Sequence, residues 1–420
     1  MKKKLLFVKL AIILIFLLVG CTGGNNPEKE EPKDEQAQAN VLDQEFEQIL
    51  EDAKGTTVSF YGYGGDQKIN AWIDNYLTEN VKKDYDITVE RVGMNIDEVL
   101  NIMLNEKQLN VEDGTVDVVW INGENFFTAM ENDLLFGPFT DKLPNFNTYI
   151  DKDSPDVKFD FGYPVNGYEA PYGKAQVVMI YNSDHIDKTP VDHKELLELA
   201  KANPGKITYP APPDFTGSAF VRNIISNIVG YEQFMDMEAD EDVVREAIAP
   251  AIEYFKELKP YLWKEGVTYP GESALLDNMF ADGEVWMSVS YNPNSASGMI
   301  ETGEFPESTR TFVFDKGTIG NTHFLAIPQN SANKEGALAL INYILNVDSQ
   351  ATKYDPATWG DLPVLDQDKL NEEEKERLAS VKLGAATLPG DVLAQHRIPE
   401  MPADLVPIIE KIWMEEIPGE

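Results

Sequence analysis

The run VDVVWING, Val116 to Gly123, limits the fold more than any other stretch. Its apolar residues do not alternate with polar ones, so it cannot offer one wet face and one dry face. It reads as a strand covered on both sides, the place of a central parallel strand. The chain around it alternates in type. TVSFYGYGGD is a β-rich run that stops at Gly62, Gly64 and Gly65, and then Ile69, Trp72, Ile73, Tyr76 and Leu77 recur at helical spacing. ITVERVG, Ile87 to Gly93, predicts a second strand, and Ile96, Val99, Leu100, Met103 and Leu104 mark a second helix. Strand, helix, strand, helix, strand predicts an open, mostly parallel α/β sheet with right-handed crossovers.

A second lobe is expected to begin near AQVVMIYN, Ala175 to Asn182. Further on come a helix over Val191–Ala202, a short strand KITYP, and a helix from DFTGSAF to Gly230. Helices near Glu241–Leu258 and Ser273–Asp282 precede a strand VWMSVS, and HFLAIP is another strand. NKEGALALINYILNVDSQ reads as one helix, with more helix near Asn371–Leu383 and Ala403–Glu415. The expected division is residues 55–174 with 318–350 in the first lobe, and 175–317 with 351–420 in the second.

Charge and cysteine usage exclude several classes. Lys and Arg number 35 against 72 Asp and Glu, a net charge of −37. A field of that sign repels nucleic acid, so no such partner is expected. Cys21 is the single cysteine, so a disulfide framework is excluded. His185, His193, His323 and His396 are scattered without metal-ligand spacing, and neither a metal nor a cofactor is expected.

The N-terminus addresses the compartment. Lys2, Lys3, Lys4 and Lys9 precede the uncharged apolar run LAIILIFLLVG, Leu10 to Gly20, too short for a comfortable membrane span. Residues 1–20 therefore read as a secretory signal. Cys21 directly after LLVG resembles the end of a bacterial lipobox, in which the thiol is lipidated, an anchor to the extracytoplasmic face of the cell membrane. Thr22 to Asn40 is dense in Gly, Pro, Glu, Lys and Gln and reads as a disordered tether, so residues 21–54 comprise tether and a short lead-in helix.

Several passages together carry a family resemblance. LLDNMFADGEVWMSVS is similar to the helix, glycine and strand passage of ABC-importer substrate-binding proteins, and NKEGALALINYILNVDSQ is similar to their late helix. YGGD with Ile69-Asn70, VDVVWINGENF, ANPGKITYPAPPDFTGSAF, PYLWKEG, GTIGNTHFLAIP and WGDLPVLD resemble the YnjB-type branch, related to thiamine-, iron- and polyamine-binding proteins. The resemblance spans Thr57 to Asp366. It implies a type II periplasmic-binding-protein fold, two lobes joined by crossing strands that close over one small-molecule ligand. It also implies a monomer that delivers its ligand to a membrane permease and its ATPase.

Ligands of open α/β sheets sit beyond the carboxyl ends of strands, near helix N-termini. That rule selects Tyr63, Gly64, Gly65 and Asp66 after the first strand, where Asp66 is a helix cap, a ligand contact, or both. Asn122, Glu124 and Asn125 follow the buried strand. Asp214, Thr216, Gly217 and Ser218 open a helix in the second lobe, as caps or as contacts. Tyr291, Asn292 and Asn294 lie past VWMSVS, and Gln176 is either a hinge residue or a cleft residue. Asp277, Asp282 and Glu284 read as the solvent side of a helix and turn, with Met279, Phe280 and Trp286 in the core.

The chemistry of these loops is mixed. Asp66, Glu124 and Asp214 with Tyr63 and Tyr291 suit an organic cation, such as a thiamine- or polyamine-like compound. Thr216 to Ser218 at a helix start suit an anion, and a neutral polyol stays open. No G-x-S-x-G, HExxH, G-x-x-x-x-G-K-[ST] or nucleophilic cysteine appears, so no catalytic residue is assigned. A surface carbohydrate-active enzyme and a sensory or interaction protein on the same scaffold are the competing readings.

Overall fold

The computed structural model describes residues 41–418; the signal run, Cys21 and the tether lie outside the described residues. A short helix, Phe46–Ala53, leads into the body. The strands are β1 (Thr57–Gly62), β2 (Thr88–Gly93), β3 (Val118–Ile121), β4 (Phe159–Asp160), β5 (Tyr163–Pro164), β6 (Glu169–Gln176), β7 (Val178–Asn182), β8 (Met287–Ser290), β9 (Thr309–Phe312), β10 (Thr318–Ala326) and β11 (Arg397–Pro399).

The first sheet runs β11-β10-β3-β1-β2, with β6 also paired to β10. β1 pairs parallel with β2 and with β3, whereas β10 runs antiparallel to β3 and β6. Successive side chains of a strand point to opposite faces. Accordingly Phe60, Val118 and Leu325 enter one buried cluster, while Tyr61, Val119 and Ala326 enter another. Two covered faces are why VVWI, Val118 to Ile121, is unbroken in its apolarity. Leu340, Ile341 and Ile344 of the Lys334–Ile344 helix are fully buried in the cluster that holds Phe60, each such burial stabilising by about 1.5–3 kcal/mol.

The second sheet, β8-β7-β9, is antiparallel throughout, so parallel pairing among the larger strands is confined to the first lobe and to β10 with β11. Its core gathers Met179, Ile180, Ile224, Ile225, Phe255, Phe280, Met287 and Trp413. The chain passes between the lobes at Val177, between β6 and β7, and again between β9 and β10.

Several elements differ from the sequence reading. KITYP is extended but joins no sheet, because its carbonyls are taken by loops: Ile207 accepts from Trp263 and Lys206 from Trp286. The late helix is two, Lys334–Ile344 and Val347–Tyr354, since Asn346 caps a new helix by accepting the Ser349 N–H at 2.7 Å. Residues beyond 351 were expected with the second lobe, yet Ala351, Trp359, Val364, Leu365, Leu370 and Leu378 pack in the first-lobe core. Only from Ala386 onward do buried residues join the second core. Their apolar spacing is the same for either core, which is why the sequence did not separate them.

Candidate functional site

Both first-lobe loops lie at the carboxyl ends of parallel strands, after Gly62 and after Ile121. In the first, Asp66 caps the Gln67–Ala71 helix, its Oδ1 accepting from Lys68 N–H at 2.7 Å and Ile69 N–H at 3.1 Å. Gly64 accepts from Asn70 Nδ2 through its carbonyl, at 2.8 Å. The Tyr63 ring folds back over Gly65, where an added Cβ would come within 2.2 Å of the hydroxyl. A side chain at position 65 would displace the ring.

In the second loop Gly123 holds φ 60° and donates its N–H to Asp160 Oδ2, at 2.5 Å. This turn sets Glu124 at the first position of the Glu124–Glu131 helix, where Asn125 Nδ2 donates to its carboxylate at 3.4 Å. Asn122, partly buried beside it, contributes its carbonyl to the Asn125 N–H at 3.3 Å.

In the second lobe, Asp214 opens the Phe215–Val229 helix. Its Oδ1 accepts from Gly217 N–H at 2.7 Å and its Oδ2 from Ser273 N–H at 3.1 Å, so one carboxylate ties two helix starts together. Gly217 is pressed against the Pro210 carbonyl and offers no free surface. Ser218 is buried, donating to Glu410 and accepting from Arg222. Arg222 in turn forks onto Glu400 with two bonds of 2.9 Å, and the buried Tyr291 hydroxyl donates to Glu400 at 2.6 Å.

The geometry sorts the expected residues into three groups. The Tyr63 hydroxyl is pushed up by partial burial and then by Asp66 of its own lobe and by Asp214, Glu272 and Asp277 of the other. Glu124 faces the Arg222 cluster: burial pushes its carboxyl up to about 7, Arg222 opposes, and Glu410 and Glu400 add to the rise. The rest are engaged within the protein. Gln176 is buried in the hinge, its Nε2 donating to Thr318 Oγ1 and to the carbonyls of Leu393 and His396. Asn292 and Asn294 donate to the carbonyls of Trp359 and Gly360, at 3.3 and 2.6 Å, and clip the lobes together. Thr216 lies partly buried in the first turn behind Asp214.

Asp277 corrects the sequence reading. Asp282 and Glu284 are exposed, but Asp277 is partly buried and accepts from Ser288 Oγ at 2.7 Å. Burial pushes its carboxyl up to about 7 against that hydrogen bond, and Asp66, Asp214 and Glu304 push further. Its helix repeat placed it between Met279 and exposed positions, so periodicity alone gave it no direction. Glu400, Glu410 and Arg222 also escaped notice, since nothing in their local sequence announces that two distant segments meet. A cage of Tyr172 and Trp359 rings does exist, each 5.1 Å from the Lys353 ammonium, but that internal cation fills it and pairs with Asp361. Among the described residues no group of three or more His, Cys, Asp or Glu side chains is arranged to hold a metal ion.

These loops thus carry carboxylates from both lobes, with Arg222 already neutralised by Glu400, and two exposed aromatics, Tyr63 and Phe215. The sequence model of the bacterial extracellular solute-binding proteins matches residues 76–376. Protein YnjB of Escherichia coli (strain K12) is 37% identical over 338 residues, spanning 80% of this chain and 86% of that protein. The putrescine-binding periplasmic protein SpuD of Pseudomonas aeruginosa is 24% identical over 217 residues, 50% of this chain and 55% of the other. The solved structure of the spermidine/putrescine ABC transporter substrate-binding protein PotD from Streptococcus pneumoniae superposes with a TM-score of 0.59 at 16% identity, covering 86% of this chain and 98% of that one. That likeness shows the periplasmic-binding-protein fold. The chain belongs to the bacterial extracellular solute-binding proteins.

Proposed function

We propose that this chain is the solute-binding component of an ABC importer and that its solute is an organic cation held between the lobes. The observation that carries the cation is the set of carboxyls that the two lobes contribute, Asp66, Asp214 and Asp277 in one group and Glu124 with Glu410 in the other. Burial pushes Glu124 and Asp277 up to about 7, where a bound cation favours their charged forms, and among the described residues no lysine or arginine is bonded to either. An ammonium or ring cation supplies the missing charge, and the exposed Tyr63 and Phe215 rings offer contact to its methylenes and to its charge. The names of the Pseudomonas and Streptococcus proteins, which bind putrescine or spermidine and putrescine, support the same class. Asp66, Asp214 and Asp277 form one cationic subsite and Glu124 with Glu410 a second, with Asn122 and Asn125 between strand end and solute.

The two cores act as lobes that close on the solute and present it to a permease and ATPase. Export through the N-terminal signal and lipidation at Cys21 keep the protein tethered to the outer face of the cell membrane, as a monomer that binds without turnover. Titration calorimetry with putrescine, spermidine and thiamine, beside glucose and fructose 6-phosphate, tests the solute class. Saturable binding of a cation is expected, weakened at least tenfold by Asp277→Asn and by Glu124→Gln. Binding of a sugar phosphate alone, or cation binding indifferent to both variants, overturns the assignment.

A further inference from the structure

The β4–β5 hairpin has an unusual tip. Phe159 pairs with Pro164 and Asp160 with Tyr163, leaving Phe161 and Gly162 as the two-residue turn. Both have positive φ, 43° and 74°. Turns of this kind favour Asn-Gly, and a bulky residue at the first position is strained. Such an outlier is kept where the side chain serves something beyond the turn.

Phe161 is only 4% exposed, packed between Phe127 of its own lobe and residues of the opposite lobe. Its ring lies 5.7 Å from the Arg222 guanidinium and packs with Ala403 and Val406. Its carbonyl accepts the Ala403 N–H at 2.9 Å, and a Cβ on Gly162 would sit 3.8 Å from Pro402 Cβ. Ala403 begins a 3-10 turn whose Leu405 is rooted in the second core. The hairpin is held on the first-lobe side: Asp160 binds the Gly123 N–H, and Tyr163 stacks edge-on with Phe126 and Phe127. A Cβ on Gly123 would touch the Phe161 ring at 3.0 Å. The residue that crosses to the second lobe therefore also rests on the loop that positions Glu124.

We propose that this hairpin is an interlobe clasp: the Phe161 ring seats on the Arg222–Glu400 pair when the lobes close and withdraws when they open, coupling lobe closure to the placement of the Asn122–Asn125 loop. The ring lies against a guanidinium that is otherwise held by Glu400 and Ser218, so its withdrawal brings that ion pair nearer to water. The backbone bond to Ala403 fixes how far the hairpin enters.

Phe161→Asn separates the clasp from the turn, since asparagine tolerates positive φ but has no ring. Leu109 and Val267 are exposed and lie on opposite lobes, so Leu109→Cys and Val267→Cys, made in a Cys21→Ser chain, give two attachment points for spin labels. Pulsed-dipolar distance measurement without any solute is then compared for the parent, Phe161→Asn and Phe161→Leu. Phe161→Asn is expected to shift the population to the longer distance by roughly tenfold, as loss of a buried aromatic contact demands, with Phe161→Leu between it and the parent. Melting temperatures within a few degrees of the parent establish that both variants fold. Identical distance distributions in all three proteins overturn the proposal. Because no solute is present, that result is independent of which solute the protein binds.

Discussion

Glu124 and Asp277 are carboxyls that the fold takes partly out of water beside other carboxylates, and this has a pH signature. Each is pushed up to about 7, from unfolded values near 4, so the native state holds these protons more tightly than the unfolded chain does. The stability they contribute is complete below about pH 4 and is lost as pH rises through 7. Buried Asp160 and Glu169 are raised in the same direction, chiefly by burial. The unliganded protein is therefore expected to melt several degrees lower at pH 8 than at pH 5.5, a difference on the order of 1–3 kcal/mol per group. Calorimetry of Glu124→Gln with Asp277→Asn checks this, because the double variant flattens the slope. A melting point that rises between those pH values sinks the argument. At this scale the sequence was legible for helix starts, as at the caps Asp66 and Asp214. It was illegible where a residue's role depends on a distant partner, as for Asp277, Arg222 and Glu400.

Helix starts carry two loads at this cleft, and substitutions can part them. Asp214 caps the 15-residue Phe215–Val229 helix and reaches Ser273, while its charge faces Tyr63. Asparagine caps nearly as well as aspartate, and alanine does not. Asp214→Ala is expected to lose about 1–2 kcal/mol of stability together with cation affinity, whereas Asp214→Asn, which keeps the Gly217 cap but cannot also accept from Ser273, loses less stability for a similar loss of affinity. Equal destabilisation by both variants would show that the charge, not the cap, holds the helix. Elements of this length, such as Glu241–Leu258, follow from apolar spacing and cap alone. The β4–β5 hairpin does not. Its strands are two residues each, too short for a period, and its turn residue contradicts local preference.

The whole molecule adds what no loop supplies, a field set by a net charge of −37. Such a field concentrates small cations near the surface and speeds their encounter with a cleft that is itself acidic. Salt shrinks its reach, from about 30 Å at 0.01 M to about 8 Å at 0.15 M. Dissociation from inside the closed lobes depends on contacts that bulk ions screen far less. The association rate of a cationic solute is therefore expected to fall steeply between 10 and 300 mM NaCl while the dissociation rate changes little. Stopped-flow tryptophan fluorescence can follow this, since Trp120 and Trp359 stand 5.8 Å apart in the first-lobe core and the Trp359 carbonyl accepts from Asn292 of the other lobe. A neutral solute gives an association rate indifferent to salt, and an anion gives one that rises with it. The slope thus reports the sign of the solute's charge from the protein's own field, by a route that does not pass through any single carboxylate.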